Sequence, residues 1–146
     1  MSVVKAFIDS NIVLYLLSAN TTKADRAETI LASGGSISVQ VLNEVTNVAR
    51  RKLSMSWNDI HEVVAQVKAL CKVEPLNIEA HDKGRYVAER YGLSVYDAMI
   101  VASALLAGCK ILYSEDMQNG LVIDEQLRVC NPFAAEPVTK KPTRTR

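Results

Sequence analysis

The stretch that decides the fold is Val3-Val4-Lys5-Ala6-Phe7-Ile8-Asp9-Ser10-Asn11-Ile12-Val13-Leu14-Tyr15-Leu16-Leu17. Its first half is an apolar, β-prone run and its second is a short apolar helix over 12–17, with an acid at the junction. Asp9 or Ser10 provides the side-chain oxygen that caps such a helix. The same alternation of short apolar run and helical stretch recurs down the chain. It predicts an α/β fold: a central, mostly parallel sheet flanked by helices.

Further helices are expected over 23–32, 40–53, 56–70, 77–91 and 95–107, with Gly34, Gly92 and Gly108 as stops. Further strands are expected at 36–39, 73–76, 110–113 and near 127–129. Residues 36–39 alternate as a half-buried strand does, and Pro75 suits a sheet edge. The helix at 95–107 is apolar all round, the pattern of a helix buried on every side.

At 146 residues, 49% hydrophobic and 23% charged, the chain suits one folded domain, expected over 1–133. No apolar run approaches the roughly 20 residues of a membrane span, and Asp9 and Asn11 interrupt the first apolar stretch as no signal peptide allows. A cytoplasmic protein without membrane contact is expected. Cys71, Cys109 and Cys130 are odd in number and widely spaced, with only His61 and His81 to join them. That pattern argues against a disulfide framework and against a zinc site.

The net charge of +1 conceals an asymmetry. Lys140, Lys141, Arg144 and Arg146 crowd the end; without them 13 basic residues face 16 acids, a charge of −3. Residues 134–146 are expected to be a basic, disordered tail.

Four acids stand where structure alone does not call for them. Asp9 follows the first strand and Asp116 comes just after the strand at 111–113, and ligand sites of parallel sheets form beyond such strand ends. Glu44 borders the apolar stripe of its helix (Val41, Leu42, Val45, Val48, Ala49), with no basic residue within one turn. Asp97 lies in the first turn of the all-apolar helix. Each acid has a bland reading: Asp9 and Asp116 as caps, Glu44 in an ion pair, Asp97 in a capping box with Ser94. Together they require more. Two carboxylates about 4 Å apart repel by roughly 4 kcal/mol at an effective dielectric near 20. Four in one cleft need a cation, and all-oxygen ligation selects Mg²⁺ or Mn²⁺. Such an ion suits phosphodiester hydrolysis.

These residues also carry a resemblance. Phe7-Ile8-Asp9-Ser10-Asn11, Leu42-Asn43-Glu44-Val45, Ser94-Val95-Tyr96-Asp97-Ala98 and Tyr113-Ser114-Glu115-Asp116-Met117 resemble, in order, the motifs of PIN-domain ribonucleases. The small size resembles most the VapC toxins of bacterial toxin–antitoxin pairs. The resemblance implies an Mg²⁺- or Mn²⁺-dependent endoribonuclease with Asp9, Asp97 and Asp116 as metal ligands. It implies that Glu44 completes the site or orients the attacking water, with Asn11 and Ser114 as supporting polar neighbours. A homodimer and an inhibitory antitoxin protein are implied in the same way.

The mildly acidic body sits awkwardly with RNA binding, which usually leaves a basic footprint. Arg50, Arg51, Lys52, Arg85, Arg90 and the tail are the candidates for phosphate contact. Three alternatives share some of these features: an aspartyl-phosphate enzyme, a non-catalytic PIN-fold RNA- or protein-binding module, and an RNA-processing nuclease that is not a toxin. The first lacks a lysine near Ser114-Glu115-Asp116; the second generally lacks some of the acids present here.

Overall fold

The computed structural model describes residues 4–134. Six strands form one sheet in the order β3-β2-β1-β4-β6-β5. β1 (Ala6–Ile8), β2 (Ser36–Ser38), β3 (Lys72–Glu74), β4 (Ile111–Tyr113) and β6 (Leu127–Cys130) pair in parallel. β5 (Val122–Ile123) runs antiparallel to β6. Around the sheet lie α1 (Ser10–Leu14), α2 (Thr21–Ala32), α3 (Val39–Arg51), α4 (Trp57–Leu70), α5 (Ile78–Tyr91) and α6 (Val95–Leu106). The expected α/β class and mostly parallel sheet are what the chain adopts. The tail from residue 135 onward lies outside the described residues.

Each of these helices begins at a polar side chain that accepts a first-turn N–H: Asp9, Asn20, Ser38, Ser56, Asn77 and Ser94. Asn20 starts α2 two residues ahead of the expected Lys23. Ser38 ends β2 and starts α3, so Val39 belongs to the helix and not to the strand. β2 is also not half-buried: Ser36, Ile37 and Ser38 are all buried. Helices α3 and α6 pack against β2, and small serines fit under them where the alternation suggested solvent. Likewise α6 is buried from Ala98 to Leu105, while Val95, Tyr96 and Leu106 at its ends stand exposed.

β5 went unrecognised in the sequence because two residues carry no period. The turn joining it to β6 closes with Gln126 N–H donating to Ile123 O at 3.0 Å, and its central residues, Asp124 and Glu125, have φ of 51° and 54°. Non-glycine residues rarely adopt that region. Contacts to α5 hold Asp124 there: Lys83 Nζ, Tyr86 OH and Tyr91 OH each donate to its carboxylate at 3.0 Å. Glu125 makes no such bond among the described residues. Glu125→Gly is therefore expected to stabilise the protein by about 1 kcal/mol. The check is a melting temperature that rises by a few degrees; one that falls would show that residue 125 is unstrained.

Candidate active site

β1 and β4 are neighbours at the centre of the sheet, with Ile8 paired to Tyr113. From β1 the chain moves outward through β2 and β3, then returns to the other side of β1 for β4. The connections leaving β1 and β4 therefore diverge, and a crevice opens above the carboxyl ends of these two strands. Asp9 and Ser114 are the first residues past those ends.

A cleft of about 300 Å³ lies there, lined by Asp9, Asn11, Glu44, Asn47, Asp97 and Asp116 among others. All four acids singled out in the sequence thus face one cavity, and among the described residues no lysine, arginine or histidine lines it. Asp9 is only 4% exposed. Its Oδ1 accepts the Ser10 N–H at 2.7 Å, and its Oδ2 accepts Ser114 Oγ at 2.8 Å and Asn11 Nδ2 at 3.1 Å. Asn11 Nδ2 also lies 3.2 Å from Asp116 Oδ2, and Asn11 Oδ1 accepts the Glu115 N–H at 3.1 Å. Asn11 thus ties the β1 end to the β4 end. Ser114 is wholly buried behind the cleft and holds Asp9 from below.

Ser10 does more than the sequence suggested. Besides its place in the capped first turn of α1, its hydroxyl donates to Glu44 Oε1 at 2.6 Å. Glu44 therefore has a neutral hydroxyl partner rather than the ion pair considered from sequence. A hydroxyl directly after a strand-end acid was the available signal. Asp97 makes only half a capping box: its N–H donates to Ser94 Oγ at 3.2 Å, and among the described residues no return bond reaches Ser94 N–H.

Three further residues escaped the sequence reading. Glu115 accepts from Tyr15 OH at 2.6 Å and from Lys23 Nζ at 2.7 Å, which clamps the β4 exit against the first two helices. Residues so distant in sequence leave no local pattern. Of the basic candidates, Arg50 donates to Met55 O at 3.0 Å and stacks over Trp57, while Arg85 pairs with Asp82 at 3.1 Å. Arg51 makes no ion pair among the described residues.

Burial pushes the Asp9 carboxyl up to about 6 from its ordinary 3.8, and the charges of Glu44 and Asp97 add to the rise. The Ser114 and Ser10 hydrogen bonds act in the opposite sense. Asp97 is also raised, by burial first and by the charge of Asp116, against the pull of Ser94. Clustered carboxylates whose charged forms are disfavoured create a demand for positive charge. Among the described residues no three acid, histidine or cysteine side chains converge as a ready metal cage. Asp9 is pinned, whereas Asp97 is partly exposed and Asp116 is exposed and held at one oxygen by Asn11. The donor set fits a hard divalent ion.

Comparison with known proteins accords with this geometry. The sequence profile of the PIN domain matches residues 6–118. None among the curated protein sequences matches the chain. Among solved structures, a toxin–antitoxin complex from Klebsiella pneumoniae superposes with a TM-score of 0.68 at 19% identity, over 90% of this chain and 100% of that one. DNA-bound VapBC from Salmonella typhimurium gives 0.65 at 19% identity, over 87% and 97%. The sarcin-ricin loop cleaving toxin VapC20 from Mycobacterium tuberculosis gives 0.60 at 19%, over 77% and 90%. At these identities the likeness is one of fold. With more than half of its length under the profile, the chain belongs to the PIN-domain family, a family of nucleases.

Proposed function

We propose that this protein is an endoribonuclease that hydrolyses RNA phosphodiester bonds with the help of Mg²⁺ or Mn²⁺, and that it acts as the toxin of a toxin–antitoxin pair. The observation that carries the reaction is the set of four carboxylates on one cleft, with no basic side chain among the described residues lining it. Asp9, Asp97 and Asp116 would hold the ion. When bound, it offsets charge building on the scissile phosphate and lowers the pKa of an attacking water.

The chain's own residues do the rest. Ser10 occupies Glu44 Oε1, which leaves Oε2 without a hydrogen bond among the described residues and able to accept the proton of that water. Ser114 and Asn11 hold Asp9, and Asn11 steadies Asp116. One nuclease domain would span 1–133. The toxin assignment and a cognate antitoxin protein as partner rest on the fold shared with chains described as toxins and toxin–antitoxin complexes, and a homodimer rests on the family resemblance alone. No helix of the described residues is long and apolar enough to cross a membrane, and the cytoplasm is the proposed location.

The test is cleavage of a structured-RNA pool by wild type and by Asp97→Asn, with EDTA or with added Mg²⁺ or Mn²⁺. Asp97→Asn is expected to lower the rate by a factor on the order of 100 or more, and EDTA to abolish it. Cleavage that survives EDTA would overturn the metal assignment.

A further inference from the structure

Beside the acidic cleft, between α3 and the first turn of α6, lies a second cavity of about 460 Å³. Gln40, Asn43, Glu44, Asn47, Leu76 and Tyr96 line it, and it shares Glu44 and Asn47 with the cleft. The two spaces are thus continuous along one face of α3, where residues 40, 43, 44 and 47 recur at helical spacing. The apolar face of that helix, Val41, Val45 and Ala49, is spent on the core. Two amides on this face, Asn43 and Asn47, are exposed and make no side-chain hydrogen bond among the described residues.

Tyr96 closes the opposite side. It precedes Asp97 directly and is 70% exposed, and its ring stacks on no other aromatic ring among the described residues. Its backbone is fixed: the Tyr96 carbonyl accepts Gln40 Nε2 at 3.2 Å. Gln40 is only 8% exposed, and with its nitrogen so occupied its amide oxygen accepts no hydrogen bond among the described residues. That oxygen is therefore open to a partner at the wall of the cavity.

An exposed aromatic face opposite carboxamides that both donate and accept is the chemistry that takes up an unstacked nucleobase. Among the described residues no basic side chain lines the cavity, and its polar groups are carboxamides and one carboxylate, which suit a base edge better than a phosphate. Its size falls within the roughly 300–1,000 Å³ of small-ligand sites. We propose that this cavity is a nucleobase subsite: the base of a nucleotide flanking the scissile phosphate stacks on Tyr96, and Asn43, Asn47 and Gln40 read its edge. The subsite rests on the nuclease reading and names the feature through which that activity selects its RNA.

The experiment uses the full chain. In an Asp9→Asn background, where RNA stays intact, fluorescence anisotropy measures binding of single-stranded oligo(A), oligo(C), oligo(G) and oligo(U). One base is expected to bind preferentially. Tyr96→Ala is expected to lower that affinity about ten-fold or more, and Tyr96→Phe to retain it. Asn43→Ala is expected to flatten the preference among bases. In the cleaving enzyme, Tyr96→Ala is expected to raise KM with little change in kcat, with Mn²⁺ affinity unchanged.

Equal binding of all four oligomers by parent and Tyr96→Ala protein overturns the subsite. So does a Tyr96→Ala protein whose RNA affinity is unchanged but whose oligomeric state, by light scattering, is altered; the surface is then a protein interface. The two readings fail separately. A wild-type protein that binds no Mn²⁺ and cleaves nothing removes the nuclease, whereas metal-dependent cleavage indifferent to Tyr96→Ala removes the subsite alone.

Discussion

Asp9→Asn is expected to abolish cleavage and, in the metal-free protein, to raise the melting temperature. The loss of activity follows from the place of Asp9 at the centre of the hydrogen-bond network in the cleft. The gain in stability follows from its burial. The carboxyl titrates at about 6 in the fold and at 3.8 ordinarily, so between those values the folded chain holds a proton that the unfolded chain has released. Stability from this group is complete below 3.8 and is lost as the pH rises through about 6. At neutral pH the ionised Asp9 thus costs about 3 kcal/mol.

Asparagine cannot ionise and escapes that cost. It does lose charge-assisted bonds from Ser10 and Ser114, and its amide nitrogen faces that of Asn11. A net gain of about 1–2 kcal/mol remains, or a few degrees in melting temperature for a chain of this size. Melts in EDTA at pH 7.5 and pH 5 give the check: the variant should lead at pH 7.5, with the gap narrowing at pH 5. A variant that melts below wild type at pH 7.5 would contradict the burial argument. The same ionised carboxylate is what a divalent ion would neutralise, so a functional requirement is held at the expense of stability.

The second large effect is expected at Gly84. This glycine is buried in the middle of α5, where glycine ordinarily costs about 1 kcal/mol relative to alanine. The reason for its presence is α6: a Cβ at this position would lie 2.5 Å from Met99 Sδ and 2.8 Å from Met99 Cε. Alanine displaces only the flexible end of Met99, and its helix propensity offsets the cost. Gly84→Val has no such escape and should destabilise the fold by about 2–3 kcal/mol, lowering the melting temperature by roughly 5–10 °C.

Met99 lies two residues after Asp97, so strain in α6 should also reach the cleft and lower cleavage. Combining Gly84→Val with Met99→Ala should recover part of the stability. If Gly84→Val melts as wild type does, the two helices are not in contact as described.

What could be read in the sequence was short-range. Asp9 at a strand end, the Ser56 and Ser94 caps, and the stop at Gly92 all act within one helical turn. The period of the apolar residues likewise indicates the element they occupy. From these alone came the α/β class, the placement of most elements to within a few residues, and the four acids set apart as candidates.

The network that joins those acids was not legible. Ser10 meets Glu44 across 34 positions, Asn11 bridges to Asp116 across 105, and Glu115 is clamped by Tyr15 across 100. Serine in the strand at 36–38 reads as solvent-facing until helices α3 and α6 pack against that strand. The reason for a glycine at position 84 appears only where α6 lies against it. A helix cap or an apolar period is written by neighbours three or four residues apart, so the sequence by itself determined the elements and nominated Asp9, Glu44, Asp97 and Asp116. Which hydroxyl and amide stand between those acids depends on packing that brings distant segments together, and only the tertiary structure decided that.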